Sequence, residues 1–219
     1  MSSEFWAAIV GAVVGGLISL GIQMIALSAT KKERELERKN ISASQGRSLL
    51  FKVMRIHSDL DGLFHHIEDS FSAARPEVHH EPFTFVLPLA NFPEYVHFNE
   101  SEISLVMTFK NDNLLNSLMS LDVIHNSLIE TFRTYNAMRS ELTRNMPAEM
   151  SGNVGTTTLT REAMLALRPK MVEANMLLTS IRARAKLDYD ESQSTLIVLH
   201  RDLAKHLSFT GKLDFTIKL

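Results

Sequence analysis

Residues 5–29 carry no charged side chain, Gln23 is their one strongly polar member, and Lys31 and Lys32 close the run. At about 1.5 Å of helical rise per residue, such a run exceeds the ~30 Å hydrocarbon core of a bilayer. A cleaved signal peptide would bring a basic leading region and a shorter apolar core. Met1, Ser2, Ser3 and Glu4 supply no basic residue, and Ala26, Leu27, Ser28 and Ala29 are only a superficial cleavage match. Residues 1–30 therefore read as a single transmembrane anchor. Lys31, Lys32, Arg34, Arg38 and Lys39 crowd its C-terminal side. Basic residues stay cytoplasmic, so the short N-terminus is expected outside and the remainder in the cytosol.

One stripe of the anchor is small. Ala7, Gly11, Gly15 and Ser19 recur every four residues, with Ala8, Ala12 and Gly16 beside them. In lipid, helices associate through close backbone approach over such residues. The stripe predicts self-association or pairing with the helix of a partner membrane protein, and the Gln23 amide suits that interface. The stretch FWAAIVGAVVGGLISLGIQ, residues 5–23, resembles the anchors of short, uncharacterised bacterial single-pass inner-membrane proteins. That resemblance implies a location in the bacterial inner membrane and no particular activity.

The rest of the chain is long enough for one domain with a core of its own. With 23 basic and 25 acidic residues there is no global field directed at nucleic acid, and without cysteine there is no disulfide framework. Residues 31–48, KKERELERKNISASQGRS, are too polar to bury a face and read as a charged juxtamembrane stalk. From there, residues 49–219 form the expected cytosolic helical domain. Leu49, Val53, Ile56, Leu60, Leu63, Ile67 and Phe71 make a helical seam. Residues 76–99 interleave Pro76, Pro82, Pro88 and Pro93 with aromatic side chains. That mixture predicts an ordered, extended loop packed over the helices, with room for a short strand at 84–87. Ser101 is the expected cap of a short helix that reaches Phe109. Leu114, Leu118, Leu121, Leu128, Phe132, Tyr135 and Leu142 continue the seam, and residues 147–157 read as a loop. A last helical segment opens at Thr158 or Thr160, its apolar side being Met164, Met171, Leu178, Ala185, Leu199 and Leu207. Pro169 is expected to kink or end it, and residues 188–192 to break it or only to be exposed. The alternating tail 213–219 reads as a short strand or a frayed end.

No phosphate-binding loop, nucleophile elbow or paired-histidine zinc motif occurs. His57, Asp61, His65 and Asp69 stack every four residues and are the candidate metal ligands, with His79, His80 and His97 as donors from the loop. Their commoner role at such positions is a solvated or ion-paired flank. Arg201 and His206 form an R-x4-H pattern that resembles the motif of HEPN-type helical ribonucleases. The resemblance implies phosphodiester cleavage at a dimer interface, with His206 as acid/base and Arg201 stabilising phosphate charge. Arg182, Arg184 and Lys186 form a small basic patch beside the acidic residues 188–191, whose charge cancels much of its field. His125 and Arg139 fall in register with a seam, where a polar residue fixes register or partner choice.

The expectation is an all-α chain: one N-terminal transmembrane helix, then an elongated antiparallel bundle of three to four long helices with a Pro- and aromatic-rich loop. The function read from it is assembly at the inner membrane without a cofactor, by a homo-oligomer or with a membrane partner, a signalling or stress/defence effector being one form. A membrane-tethered ribonuclease using Arg201 and His206 is the alternative, and it alone would require nucleic acid.

Overall fold

The computed structural model describes residues 3–74, 81–89, 91–146, 149–151 and 154–207; the side chains of 3–14, 17, 18 and the two short strands lie outside that description. Three long helices dominate: α1 (Ser3–Ala73), α4 (Asp112–Arg144) and α5 (Arg161–Leu207). Two short ones, α2 (Pro82–Phe85) and α3 (Glu100–Thr108), lie between α1 and α4. The strands β1 (Glu149–Ser151) and β2 (Val154–Thr156) pair as a hairpin inside the expected 147–157 loop.

α1 is continuous for 71 residues, about 105 Å at the helical rise, so the stalk is a prolongation of the helix that follows it. Every described side chain of α1 from residue 19 to residue 41 is exposed, and packing begins near Gly46. A Cβ placed on Gly46 would lie 2.8 Å from methyl carbons of both Leu203 and Leu207. The absent side chain lets α5 close on α1 there. Gly62 differs: it is exposed and a Cβ would meet nothing within 4 Å. Gly62→Ala should therefore raise stability by about 0.5–1 kcal/mol in urea titrations, since alanine lowers the backbone entropy lost by a helical glycine. Gly46→Ala, given the same propensity gain but crowded by two leucines, should not.

The helix seams are buried as their spacing requires. Leu49, Val53, Ile56, Leu60, Leu63 and Ile67 of α1 and Leu114, Leu118, Leu121, Leu128, Phe132, Tyr135 and Leu142 of α4 belong to one core, with α1 and α4 each packed chiefly against α5. Leu178, Ala185, Leu196, Leu199 and Leu203 of α5 complete the core. Met164 does not join it and is exposed. Lys170 pairs with Glu141 near the end of α4, so Met164 lies past the last turn that could cover it.

The helix directions correct the antiparallel expectation. Asp59 meets His125 and His66 meets Phe132, so α1 and α4 run parallel. Glu68 meets Arg182, His57 meets Ser192, and Gly46 meets Leu203, so α5 alone is antiparallel to both. The cause is the segment 81–99, which runs back beside α1 from Phe71 to Lys52 before α3 and α4 begin. Its backbone, having no sheet or long helix to pair with, is held by side chains from all three helices. Phe83 N–H donates to Asn175 Oδ1 and Phe83 O accepts from Arg139 Nε. Val86 O accepts from the Tyr135 hydroxyl, Leu87 O pairs with His66 Nε2, and Asn126 bonds both the N–H and the carbonyl of Val96. Phe83, Val86 and Val96 are buried and join the core.

Four local expectations are corrected. The 84–87 strand is replaced by α2, which opens on Pro82 where a missing N–H costs nothing. α3 is capped by Asn99 rather than Ser101, in a capping box with Glu102. Pro169 lies inside α5 and does not end it. It is exposed, so water can solvate the carbonyl it leaves unpaired. Residues 188–192 do not break α5 either: Asp188, Ser192 and Thr195 are buried in phase with its seam. The tail 213–219 lies outside the described residues.

Candidate functional site

The N-terminal reach of α1 and the bundle pose separate questions. Leu20, Ile22, Met24, Ile25 and Leu27 of α1 are all exposed, between 59% and 72%. At about 100° per residue they cover roughly 220° of the circumference, and the remaining arc holds Ser19, Gln23, Ala26 and Thr30, so no charged side faces water. A helix without a charged face and apolar over most of its circumference suits a protein core or a lipid phase. Gly15, Ser19 and Gln23 of the small stripe are exposed on the same stretch, and a Cβ on Gly15 or Gly16 would meet nothing within 4 Å. The side chains of Ala7 and Gly11 fall outside the described residues. Among the described residues, no helix is long and apolar enough to cross a membrane. Much of the expected span at 5–29 lies in the part whose side chains are not described.

The candidate metal ligands do not converge. His57 turns toward α5, where Nδ1 is 2.9 Å from Ser192 Oγ and the ring stacks on Tyr189 at 5.3 Å. Burial pushes its pKa down, with partial opposition from the Asp61 carboxylate. His65 Nδ1 is 2.9 Å from the Asp61 carbonyl and 3.1 Å from Asp61 Oδ1, an exposed pair one helical turn apart. Asp69 sits beside His66 at the far end of α1. His97 pairs with Asp122 on α4, and His79 and His80 lie outside the described residues. No group of three or more possible ligands forms among the described residues.

Arg201 and His206 are both exposed on α5. Five residues of helix separate their directions by about 140°, and they share no cleft. Arg201 lies 3.5 Å from Asp202 Oδ1. His206 stacks on Phe109 of α3, at 4.8 Å between ring centres and 13° between planes. It is neither inside the bundle nor beside Arg201. The basic patch is likewise divided among partners: Arg182 to Glu68, Arg184 to Asp188 and Lys186 to Asp190.

The polar seam residues are hydrogen-bonded. His125, 1% exposed, places Nε2 3.1 Å from Asp59 Oδ2 and Nδ1 3.2 Å from Asn126 Oδ1. Arg139 clamps Phe83. Burial raises the Tyr135 phenol to about 12, against a smaller opposing effect of Arg139, so it stays a neutral donor to Val86.

Sequence reasoning passed over Glu102. It is buried at the junction of α1, α3 and the end of the loop, and it accepts from Ser48 Oγ at 2.6 Å, Lys52 Nζ at 2.8 Å and Asn99 N–H at 2.7 Å. Lys52 also donates to His97 O and Asn99 Oδ1. The readable signal was Asn99-x-x-Glu102, a capping-box spacing. A second omission is the outer face of α4 and α5, where a cleft of about 380 Å³ is lined by Val123, Ser127, Thr131, Ser180, Arg184 and Asp188 among others.

No family model, curated protein or solved structure matches the chain.

Proposed function

We propose that this chain is a membrane-anchored assembly protein: the N-terminal part of α1 lies in the bilayer, and the bundle stands on the basic, cytoplasmic side of it. The observation that carries the reading is the broad exposed apolar surface at Leu20, Ile22, Met24, Ile25 and Leu27, within the charge-free residues 5–29. Five exposed apolar side chains on a charge-free stretch are costly in water and favourable in lipid. Lys31, Lys32 and Arg34 at the boundary orient the helix by the positive-inside preference. The small stripe Ala7, Gly11, Gly15 and Ser19, with Gln23 one turn on, gives anchors a surface on which to pair. The bundle itself is fitted for binding rather than chemistry: its polar groups are spent on holding the loop and pairing helix to helix. Fractionation tests the location. The full chain should stay with the membrane pellet through alkaline carbonate extraction and leave it only with detergent; release into the carbonate supernatant would refute the anchor.

A further inference from the structure

We infer that the outer stripe of α5 between Leu165 and Leu187 is the seat of a second copy of this chain, the two α5 helices lying parallel about a two-fold axis that runs along the bundle. The inference rests on the anchoring reading above, because anchors in one membrane hold two copies side by side, and α5 then points the same way in both.

Leu165, Pro169, Val172, Met176, Ala183 and Leu187 fall within an arc of about 60° on α5, at about 100° per residue. All six are exposed, with Leu165, Val172, Met176 and Leu187 between 48% and 66%. The buried residues of this reach, Ala174, Leu178, Ile181 and Ala185, lie on the opposite side. A helix side turned to water is normally polar or charged. Here every charged side chain from 163 to 189 lies about 40° or more outside the arc. The stripe runs for about 33 Å, bounded by Arg161 and Asp190.

The flanks of the stripe carry charge in a self-complementary order. Arg168 and Lys186 border one side, Glu173 and Arg184 the other. Lys186 and Arg184 are already paired, with Asp190 and Asp188. Arg168 and Glu173 are exposed and form no ion pair or hydrogen bond among the described residues. In a parallel helix pair, a residue flanking the seam meets the opposite flank of the other helix about five residues further on, where opposite charges set partner and orientation. Arg168 and Glu173 have that separation and lie on opposite flanks, so each copy's Arg168 faces the other's Glu173, twice about the axis. Residues on the axis face their own twins, where a charge would repel itself. An unlike partner requires neither an uncharged axis nor two flanks of this chain that match each other. A cleft of about 450 Å³, which Val172 and Met176 share with Thr134 and Met138 of α4, gives the other copy's flexible Met176 room to pack. One helix pair is smaller than the ~800 Å² per partner of a standard interface, and tethering in one membrane compensates by raising the effective concentration.

The chain has no cysteine, so single cysteines report proximity without background. In the full-length protein in native membranes, oxidation should join Met176→Cys to itself as a disulfide-linked dimer, and Ala183→Cys likewise. Both positions are exposed, so helical circular dichroism should not change. Gly62→Cys, exposed on α1, should not be joined. In the Met176→Cys background, Arg168→Glu or Glu173→Arg should lower the cross-link about threefold to tenfold, and the two together should restore it. Linking unchanged by either reversal, or not restored by the double exchange, would refute the parallel two-fold pairing. If both stripe cysteines stay unlinked while the full chain sediments as an oligomer, the copies assemble elsewhere and this interface is refuted. If they stay unlinked and the chain is monomeric, the assembly reading fails with it. Stripe cysteines shielded from maleimide but unlinked would reveal another occupant and refute the second copy. Equal linking of Gly62→Cys would mean random collision and would also refute the interface.

Discussion

Glu102→Ala should destabilise the bundle by about 2–4 kcal/mol, read from the urea midpoint of the full chain in detergent, and Glu102→Gln by about half as much. The carboxylate is buried and gathers a lysine, a serine and a backbone N–H, while Lys52 is about a quarter exposed. Removing the acid strands an ammonium that water reaches only in part, which places the cost below that of a fully buried pair. The amide keeps the shape and part of the bonding, though it loses the charge. Acidification should act in the same direction. Burial alone would raise the Glu102 pKa, but hydrogen bonds from Lys52, Ser48 and Asn99 outweigh it and hold the carboxyl below the usual glutamate value. A carboxyl with a lowered folded pKa contributes stability above its unfolded value, near 4.5, and loses it as pH falls through the folded one. The wild type should therefore weaken below about pH 4.5, and Glu102→Gln should weaken less over that interval. A pH profile identical in the two proteins would remove Glu102 from the account.

Replacing Gly11 and Gly15 together by leucine should raise the dissociation constant of the detergent-solubilised assembly about tenfold or more, with the fold of the bundle unchanged. Close backbone approach over small residues is what packs membrane helices together, and tenfold corresponds to about 1.4 kcal/mol. Leucine adds bulk where helices must approach, without making the anchor less apolar. Sedimentation equilibrium of the double variant against wild type checks it, and an unchanged association constant would mean that the stripe is not the contact.

The seams of α1 and α4 were readable because their heptad spacing holds through regular helix with a partner at every height. Those of α5 were readable only in part. Met164 keeps the spacing beyond the end of α4, and a pattern does not reveal where its partner stops. The loop was readable as ordered from its aromatic residues, yet its fastenings were not. Asn126, Tyr135, Arg139 and Asn175 acquire their roles from residues 30 to 92 positions away. The parallel course of α1 and α4 was hidden for the same reason, since it depends on how far the loop travels. The candidate chemistry looked concentrated in sequence and is dispersed in space. His57 and His65 are both on α1, but one is taken by α5 while the other is exposed beside Asp61. Arg201 and His206 are close in number and far apart around the helix axis.

The mass of the full-length protein in detergent, by light scattering corrected for bound detergent, tests the central claim most directly. Anchored assembly predicts a defined multiple of 24.7 kDa, two copies in the simplest case, persisting as detergent is diluted toward its critical concentration. A single-chain mass at every protein-to-detergent ratio would contradict it.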